Sequence, residues 1–231
     1  MEISGLQKLT LLDYPGELAC TIFTRGCNFT CPFCHNSSLV LLDKSPADII
    51  PTEDILQFLK ARYGKIDGVC ITGGEPLLQP DLKDFIRKVK DIGYKVKLDT
   101  NGYLPEKLKE LIDANLIDCV AMDIKNTFPK YAETVGRKTI DIDRIKKSIN
   151  IIETSGVAYE FRTTAIREYH DLNDFKEISK LLKGTKAYFI QNFIDSGSVI
   201  QEGLHGFDKE TLLTFKAQFD AAGIPCELRG I

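Results

Sequence analysis

The chain has 231 residues, 43% of them hydrophobic and 27% charged, with a net charge of -3. That length and balance suit one sizeable core, and the interspersion of Lys and Arg with Asp and Glu argues against nucleic acid or a membrane surface as the main partner. No apolar run reaches the roughly 18 residues of a bilayer span, and seven cysteines, an odd number with no secretory leader, exclude a disulfide framework and make the cytoplasm the expected location.

In chain order, short runs rich in β-branched residues alternate with helical periodicity. The first predicted strand is "LACTIFT" (18-24), followed by a long segment and the helix "TEDILQFLKARY" (52-63). The strand "GVCIT" (68-72) leads to the helix 80-93, "KVKLDT" (95-100) to the helix 105-114, and "DCVAMDI" (118-124) to the helix 142-156. The strand "AYEFRTTA" (158-165) precedes the helix 172-184, and "AYFIQNF" (187-193) precedes the helix 208-223 and a terminal "PCELRG". Each helix carries apolar residues near i, i+3, i+4 and i+7. Thr52 and Asp54 are expected to open one helix and Pro80 and Asp81 another, while Gly93, Gly156 and Gly184 close three. Six rounds of strand and helix imply right-handed βαβ units on a parallel sheet. With no repeat, linker or low-complexity tract, the chain reads as one domain over residues 1-231.

In parallel α/β folds the chemistry gathers at the carboxyl ends of the strands. There, after the first predicted strand, stands "GCNFTCPFCHN", a C-x3-C-x2-C array of Cys27, Cys31 and Cys34. The segment runs on for about 25 residues before the next helix, long enough to be a functional insertion. Structural zinc takes four ligands, and no fourth partner stands at a matching spacing, since His35 adjoins Cys34. Three thiolates on a 4Fe-4S cubane would leave one iron open, as a reactive centre requires. From the cysteines alone a cluster, a zinc ion and unliganded thiols all remain open. Cys20, Cys70, Cys119 and Cys226 lie in apolar strands and read as core thiols.

Three further segments close strands. "TGGEP" (72-76) places glycines where backbone can approach a ligand closely, with the Glu75 carboxylate beside them. "LDTNG" (98-102) would signal a hairpin but for the helix that begins at Pro105, so Asp99, Thr100 and Asn101 face the strand ends. "MDIK" puts Asp123 and Lys125 on one face of its strand.

The C-x3-C-x2-C spacing with Phe33 before the last cysteine resembles the radical S-adenosylmethionine (SAM) enzymes. With "TGGEP", "LDTNG" and "MDIK" it is similar to the activases of glycyl radical enzymes, and the opening "GLQKLTLLDYPGELACTIFTRGCNFTCPFCHN" to the activating proteins of anaerobic ribonucleoside-triphosphate reductase. The resemblance is dense over residues 5-125 and thin after about 165. It implies a partial (β/α)6 barrel with an open parallel sheet, a 4Fe-4S cluster held by Cys27, Cys31 and Cys34, and SAM chelating the iron that lacks a cysteine. Reductive cleavage would give methionine and a 5'-deoxyadenosyl radical, which takes a hydrogen atom from a glycine Cα of a protein partner. The electron would come from flavodoxin or ferredoxin.

The same resemblance implies roles for individual residues. Phe33 and His35 would meet the adenine, while Gly73, Gly74 and Glu75 would bind the methionyl amine, largely through backbone. Asp99 would share that amine or, with Thr100 and Asp123, hold a monovalent cation; Asn101 belongs to the same cofactor-binding segment. Lys125 would meet the methionyl carboxylate and Arg162 the ribose or carboxylate. Some activases carry a histidine at the end of the sixth strand, where this chain has "FIQNF", so Gln191 and Asn192 stand in for it. No second cysteine array appears, which disfavours activases with auxiliary clusters. Two other classes compete: a radical enzyme acting on a small molecule, of the deazapurine synthase kind, and a non-enzymatic zinc or iron-sulfur adaptor.

Overall fold

The computed structural model describes residues 1-41, 49-195 and 197-231. Residues 42-48, part of the expected insertion, lie outside the described residues. The strands are β1 (Ile3–Thr10), β2 (Ala19–Thr24), β3 (Gly68–Gly73), β4 (Lys95–Thr100), β5 (Cys119–Asp123), β6 (Ala158–Ala165), β7 (Tyr188–Asn192) and β8 (Cys226–Arg229). The helices are α1 (Ser37–Val40), α2 (Thr52–Arg62), α3 (Leu82–Ile92), α4 (Pro105–Asp113), α5 (Tyr131–Thr134), α6 (Ile142–Thr154), α7 (Leu172–Leu181) and α8 (Lys209–Ala221). The strands are ordered in the sheet as in the sequence, with β1 and β8 at its two edges, so the mostly parallel sheet is open as expected. The chain divides into two compact units.

The first unit comprises Met1–Asn28, Ser38–Ala121 and Arg144–Ala158. In it β2, β3 and β4 run parallel, with Thr24 opposite Gly73 and Ile71 opposite Leu98. Their apolar residues Cys20, Ile22, Val69, Ile71, Val96 and Leu98 are wholly inaccessible, as expected of parallel strands covered on both faces. Helix α3 buries Leu82, Phe85, Ile86 and Val89, the i, i+3, i+4, i+7 stripe seen in its sequence. Gly93 closes it with φ +110° and a backbone N–H to the Lys90 and Val89 carbonyls, a conformation that a β-carbon disfavours. Thr52 opens α2 as expected, with Pro51 before it as an N-cap (φ -58°, ψ 137°) that makes no side-chain hydrogen bond. The edge strand β1, antiparallel to β2, is absent from the sequence reading.

The second unit comprises Phe29–Ser37, Met122–Asp143 and Tyr159–Ile231. Here β6, β7 and β8 run parallel, with Phe161 opposite Tyr188 and Tyr188 opposite Cys226. An aromatic core backs them. Tyr188 stacks on Phe219 at 4.2 Å and Phe175 on Phe215 at 4.3 Å, pairs that add about 0.5–1.5 kcal/mol each beyond burial. The buried Tyr188 hydroxyl donates to Thr163 Oγ1 at 2.5 Å. Helix α7 starts from a capping box between Asp171 and Asp174, which satisfies two backbone donors at once.

Candidate functional site

The predicted site segments all stand at strands. Cys27 follows β2, Gly73 closes β3, Asp99 and Thr100 close β4, Asp123 closes β5, and Gln191 and Asn192 close β7; Arg162 sits inside β6.

In the first unit the two glycines serve close packing of the cysteine loop. A β-carbon on Gly74 would stand 2.0 Å from the Gly26 carbonyl oxygen, and one on Gly73 2.4 Å from the Thr24 nitrogen. The backbone N–H groups of Gly74 and Glu75 donate to the carbonyls of Thr24 and Gly26, each at 2.8 Å. So "TGGE" clamps the turn that ends in Cys27. The Glu75 side chain is inaccessible and accepts from Thr100 Oγ1 at 2.9 Å, the Asn101 N–H at 2.7 Å and the Leu77 N–H at 3.1 Å. Three donors offset the cost of burying that carboxylate. Its charge ties the start of the loop after β4 to the turn after β3, and the Glu75 side chain is committed to that role.

Asn101 then reaches back: its Nδ2 donates to Asn28 Oδ1 at 2.8 Å and lies 3.8 Å from Cys27 Sγ. Asp99 turns elsewhere. Its Oδ1 is 2.5 Å from Lys97 Nζ, and the Cys70 thiol lies 3.7 Å away. The core-thiol reading therefore stands for Cys20 and Cys226, both buried, whereas Cys70 also touches a charged group and Cys119 is only half-buried.

In the second unit Cys31 is buried and Cys34 half-buried, joined by a turn in which the Cys34 N–H donates to the Cys31 carbonyl at 3.0 Å. Gly136 (φ +68°) lets Thr30 pass, since a β-carbon there would stand 2.3 Å from the Thr30 carbonyl oxygen. Burial pushes the Cys31 thiol up to about 11 against the pull of the Lys125 ammonium, and burial raises Cys34 as well. Phe33 is buried beside Tyr169, with Lys125 Nζ 5.8 Å over its ring. His35 is exposed, stacks on Phe193 at 5.3 Å and meets the Ile194 carbonyl through Nε2 at 2.8 Å.

Asp123 is shared by two cations, Lys125 Nζ at 2.8 Å and Arg162 Nε at 3.0 Å. Burial alone would raise its carboxyl, but Arg162 and Lys125 outweigh burial and hold it well below the usual carboxylate range. Burial would lower Lys125, yet Asp123, followed by Cys31, keeps it well above the usual lysine range. The network continues through Glu160, whose carboxylate takes Arg229 at 2.8 Å and lies 3.7 Å from Arg162. His170, buried, accepts the Ile166 N–H at Nδ1 (3.3 Å) and donates from Nε2 to the Lys125 carbonyl (2.9 Å), which fixes the backbone that carries Lys125. Asn192 is committed to the loop opposite, donating to the Phe207 carbonyl at 3.0 Å and accepting the Phe207 N–H at 2.9 Å; Gln191 lies half-buried next to it.

Lys97, Asn28, Glu160, Tyr169 and His170 are the members that sequence reasoning missed. Lys97 had a readable signal, because "KLD" repeats on β4 the period-two Lys–Asp alternation of "DIK". Cys27, Cys31 and Cys34 are free thiols, soft donors that suit a thiolate-bound cluster, and the Asn101 amide at Cys27 adds an N–H directed at sulfur. Among the described residues, no three His, Cys, Asp or Glu side chains already stand grouped as for a metal ion. No described helix is long and apolar enough to cross a membrane.

Comparison with known proteins supplies the rest. The family model described as the radical SAM superfamily matches residues 21–182. A Methanocaldococcus jannaschii protein provisionally named a glycyl-radical enzyme activating enzyme is 38% identical over 83% of this chain and 79% of its own. The GTP 3',8-cyclase of Helicobacter pylori is 31% identical over 73% of this chain, which spans only 51% of that enzyme. Among solved structures, a radical SAM methyltransferase from Sphaerobacter thermophilus superposes with a TM-score of 0.74 at 14% identity, covering 94% of this chain and 67% of that one. A model that spans most of the chain, and a relative so similar over most of its own length, establish that this chain belongs to the radical SAM superfamily.

Proposed function

We propose that this radical SAM enzyme activates a glycyl radical enzyme by removing one hydrogen atom from a glycine Cα of that partner, with anaerobic ribonucleoside-triphosphate reductase as the favoured substrate. The similarity to the Methanocaldococcus jannaschii protein of that provisional name carries the reading, since it extends over 83% of this chain. The family implies a 4Fe-4S cluster and SAM, which when bound and reduced supply the 5'-deoxyadenosyl radical. Cys27, Cys31 and Cys34 would hold the cluster, and flavodoxin or ferredoxin would deliver the electron.

The remaining roles belong to the chain's own residues. The backbone of Gly73, Gly74 and Glu75 would receive the methionyl amine, because the Glu75 side chain is committed to Thr100, Asn101 and Leu77. Lys125 and Arg162, cations on either side of Asp123, would take the methionyl carboxylate; with Glu160 and Arg229 included, three cations against two carboxylates leave one positive charge for it. Phe33 and His35 would border the adenine, and Gln191 would face the ribose more readily than Asn192, which Phe207 occupies.

The likeness to GTP 3',8-cyclase favours a second reading, a small-molecule radical enzyme. Both are tested by mixing the anaerobic, reduced protein and SAM with the glycyl radical enzyme encoded nearest to it, and with that enzyme carrying Ala for its radical glycine. The expected result is a doublet in electron paramagnetic resonance from the first mixture alone. Equal signals from both, or none alongside turnover of GTP or another small substrate, would overturn the activase reading.

A further inference from the structure

Three residues would be needed for the monovalent cation that the resemblance implies, and each is already engaged by the protein. Asp99 Oδ1 stands 2.5 Å from Lys97 Nζ, with the Lys97 side chain 1% and the Asp99 side chain 12% exposed. The Thr100 hydroxyl donates its proton to Glu75 at 2.9 Å and accepts the Gly102 N–H at 3.1 Å. In the second unit Asp123 carries both Lys125 and Arg162. The donors do not fit a free cation. An ion drawn to Asp99 would have to stand beside a buried ammonium, where like charges repel strongly because little water screens them.

Lys97 and Asp99 lie two apart on β4 and so share one face of the strand. An ammonium is itself a monovalent cation of nearly the size of potassium, and this one is tethered to the strand it neutralises. We infer that Lys97 is the resident counter-cation of Asp99, a positioning residue that takes the place of a bound alkali ion and makes SAM binding by this chain independent of potassium and sodium. The inference rests on SAM binding near Asp99. It is read without any glycyl radical enzyme, so failure to activate a partner would leave its outcome intact.

The experiment measures SAM affinity of the cluster-loaded protein in potassium, sodium or tetramethylammonium chloride at matched ionic strength. The wild-type dissociation constant stays within about twofold across the three salts. Lys97→Ala, which opens the ammonium's place, binds SAM at least about tenfold more weakly in tetramethylammonium, and potassium restores the affinity saturably. A purely structural lysine would give a weaker variant that no ion rescues, and that result overturns the inference. So does a wild-type affinity that rises about tenfold with potassium, an outcome that needs no variant to fold. Lys97→Met combined with Asp99→Asn removes both charges at nearly constant volume; it folds without the pair and shows no potassium response, whereas a saturable response in it would place the ion elsewhere and overturn the assignment.

Discussion

Gly74 has no room for a β-carbon because the atom in its way is a backbone carbonyl, that of Gly26, which cannot swing aside as a side chain could. Gly74→Ala should therefore lower unfolding free energy by about 2–4 kcal/mol in a urea titration. Because Gly26 precedes Cys27, iron content should fall with it. Gly156→Ala, at φ +79° but in open space, should cost only about 1 kcal/mol of backbone strain and leave iron content unchanged. At Glu75 the change to Gln turns one of the acceptor atoms into a donor that faces Thr100 or the backbone N–H groups of Asn101 and Leu77. A loss of about 1–3 kcal/mol is expected, measured by the same titration. Much at this scale was legible: glycines at a strand end announce close approach, and they make it here, to another loop of the protein. Lys97 was legible only through its period-two spacing from Asp99, against the ordinary expectation that a strand lysine points to solvent. His170 was not legible, because its partner Lys125 is distant in sequence and only folding brings them together.

Among the elements, β6, β7 and β8 share a partly buried ionic group that ties the last strand to its neighbours in the second unit. Arg229 on β8 meets Glu160 on β6 through both its terminal nitrogens, at 2.8 and 3.3 Å, and lies 3.5 Å from the Phe189 ring centroid on β7. Arg229→Ala would leave Glu160 buried with Arg162 as a looser partner. The cost should be about 2–3 kcal/mol after allowance for the partial exposure of Arg229, seen as a lower melting temperature. At the turn before α7, burial keeps the His170 imidazole below its ordinary range despite opposing hydrogen bonds to the backbone of Lys125 and Ile166. The unfolded chain binds a proton near pH 6.5 and the folded ring does not, so stability is intact above that value and falls as pH drops through it towards the folded value. Urea midpoints of the metal-free protein should fall between about pH 7.5 and about pH 5.5, while His170→Asn, weaker at the higher pH, should lose less across that window. The parallel strands were legible to within a residue or two because short apolar, β-branched runs stand between segments of helical periodicity. Strand β1 was hidden, for "ISGLQKLT" buries only Ile3 and Thr10 and shows no alternation.

For the whole molecule, the three-cysteine reading makes a contrast between thiols. Ala in place of Cys27, Cys31 or Cys34 should abolish the iron-sulfur chromophore and SAM cleavage in anaerobically prepared protein. Ala in place of Cys20 or Cys226, both buried, should keep full iron content and cost about 1 kcal/mol of packing each. Full cleavage activity in any of the first three variants would remove the cluster assignment. The parallel sheet and its helices could be read from alternation, and its openness from the family resemblance, whereas the interleaving of two units could not, because periodicity reports which face a residue buries and not which segments it meets. That interleaving governs how the protein is made. The first unit draws on residues from Met1 to Ala158, including helix α6, whose Ser148 hydroxyl donates to the Gly102 carbonyl and whose Ile145, Ile149 and Ile152 are buried. A nascent chain that has emerged only as far as β5 carries the strands of that unit without this helix to cover them. At about 5–20 residues per second the ribosome holds those apolar strands incomplete for several seconds more. Stalled or truncated chains ending between residues 121 and 144 should consequently be the aggregating, chaperone-bound species, and chains released beyond residue 158 should protect the first unit from protease.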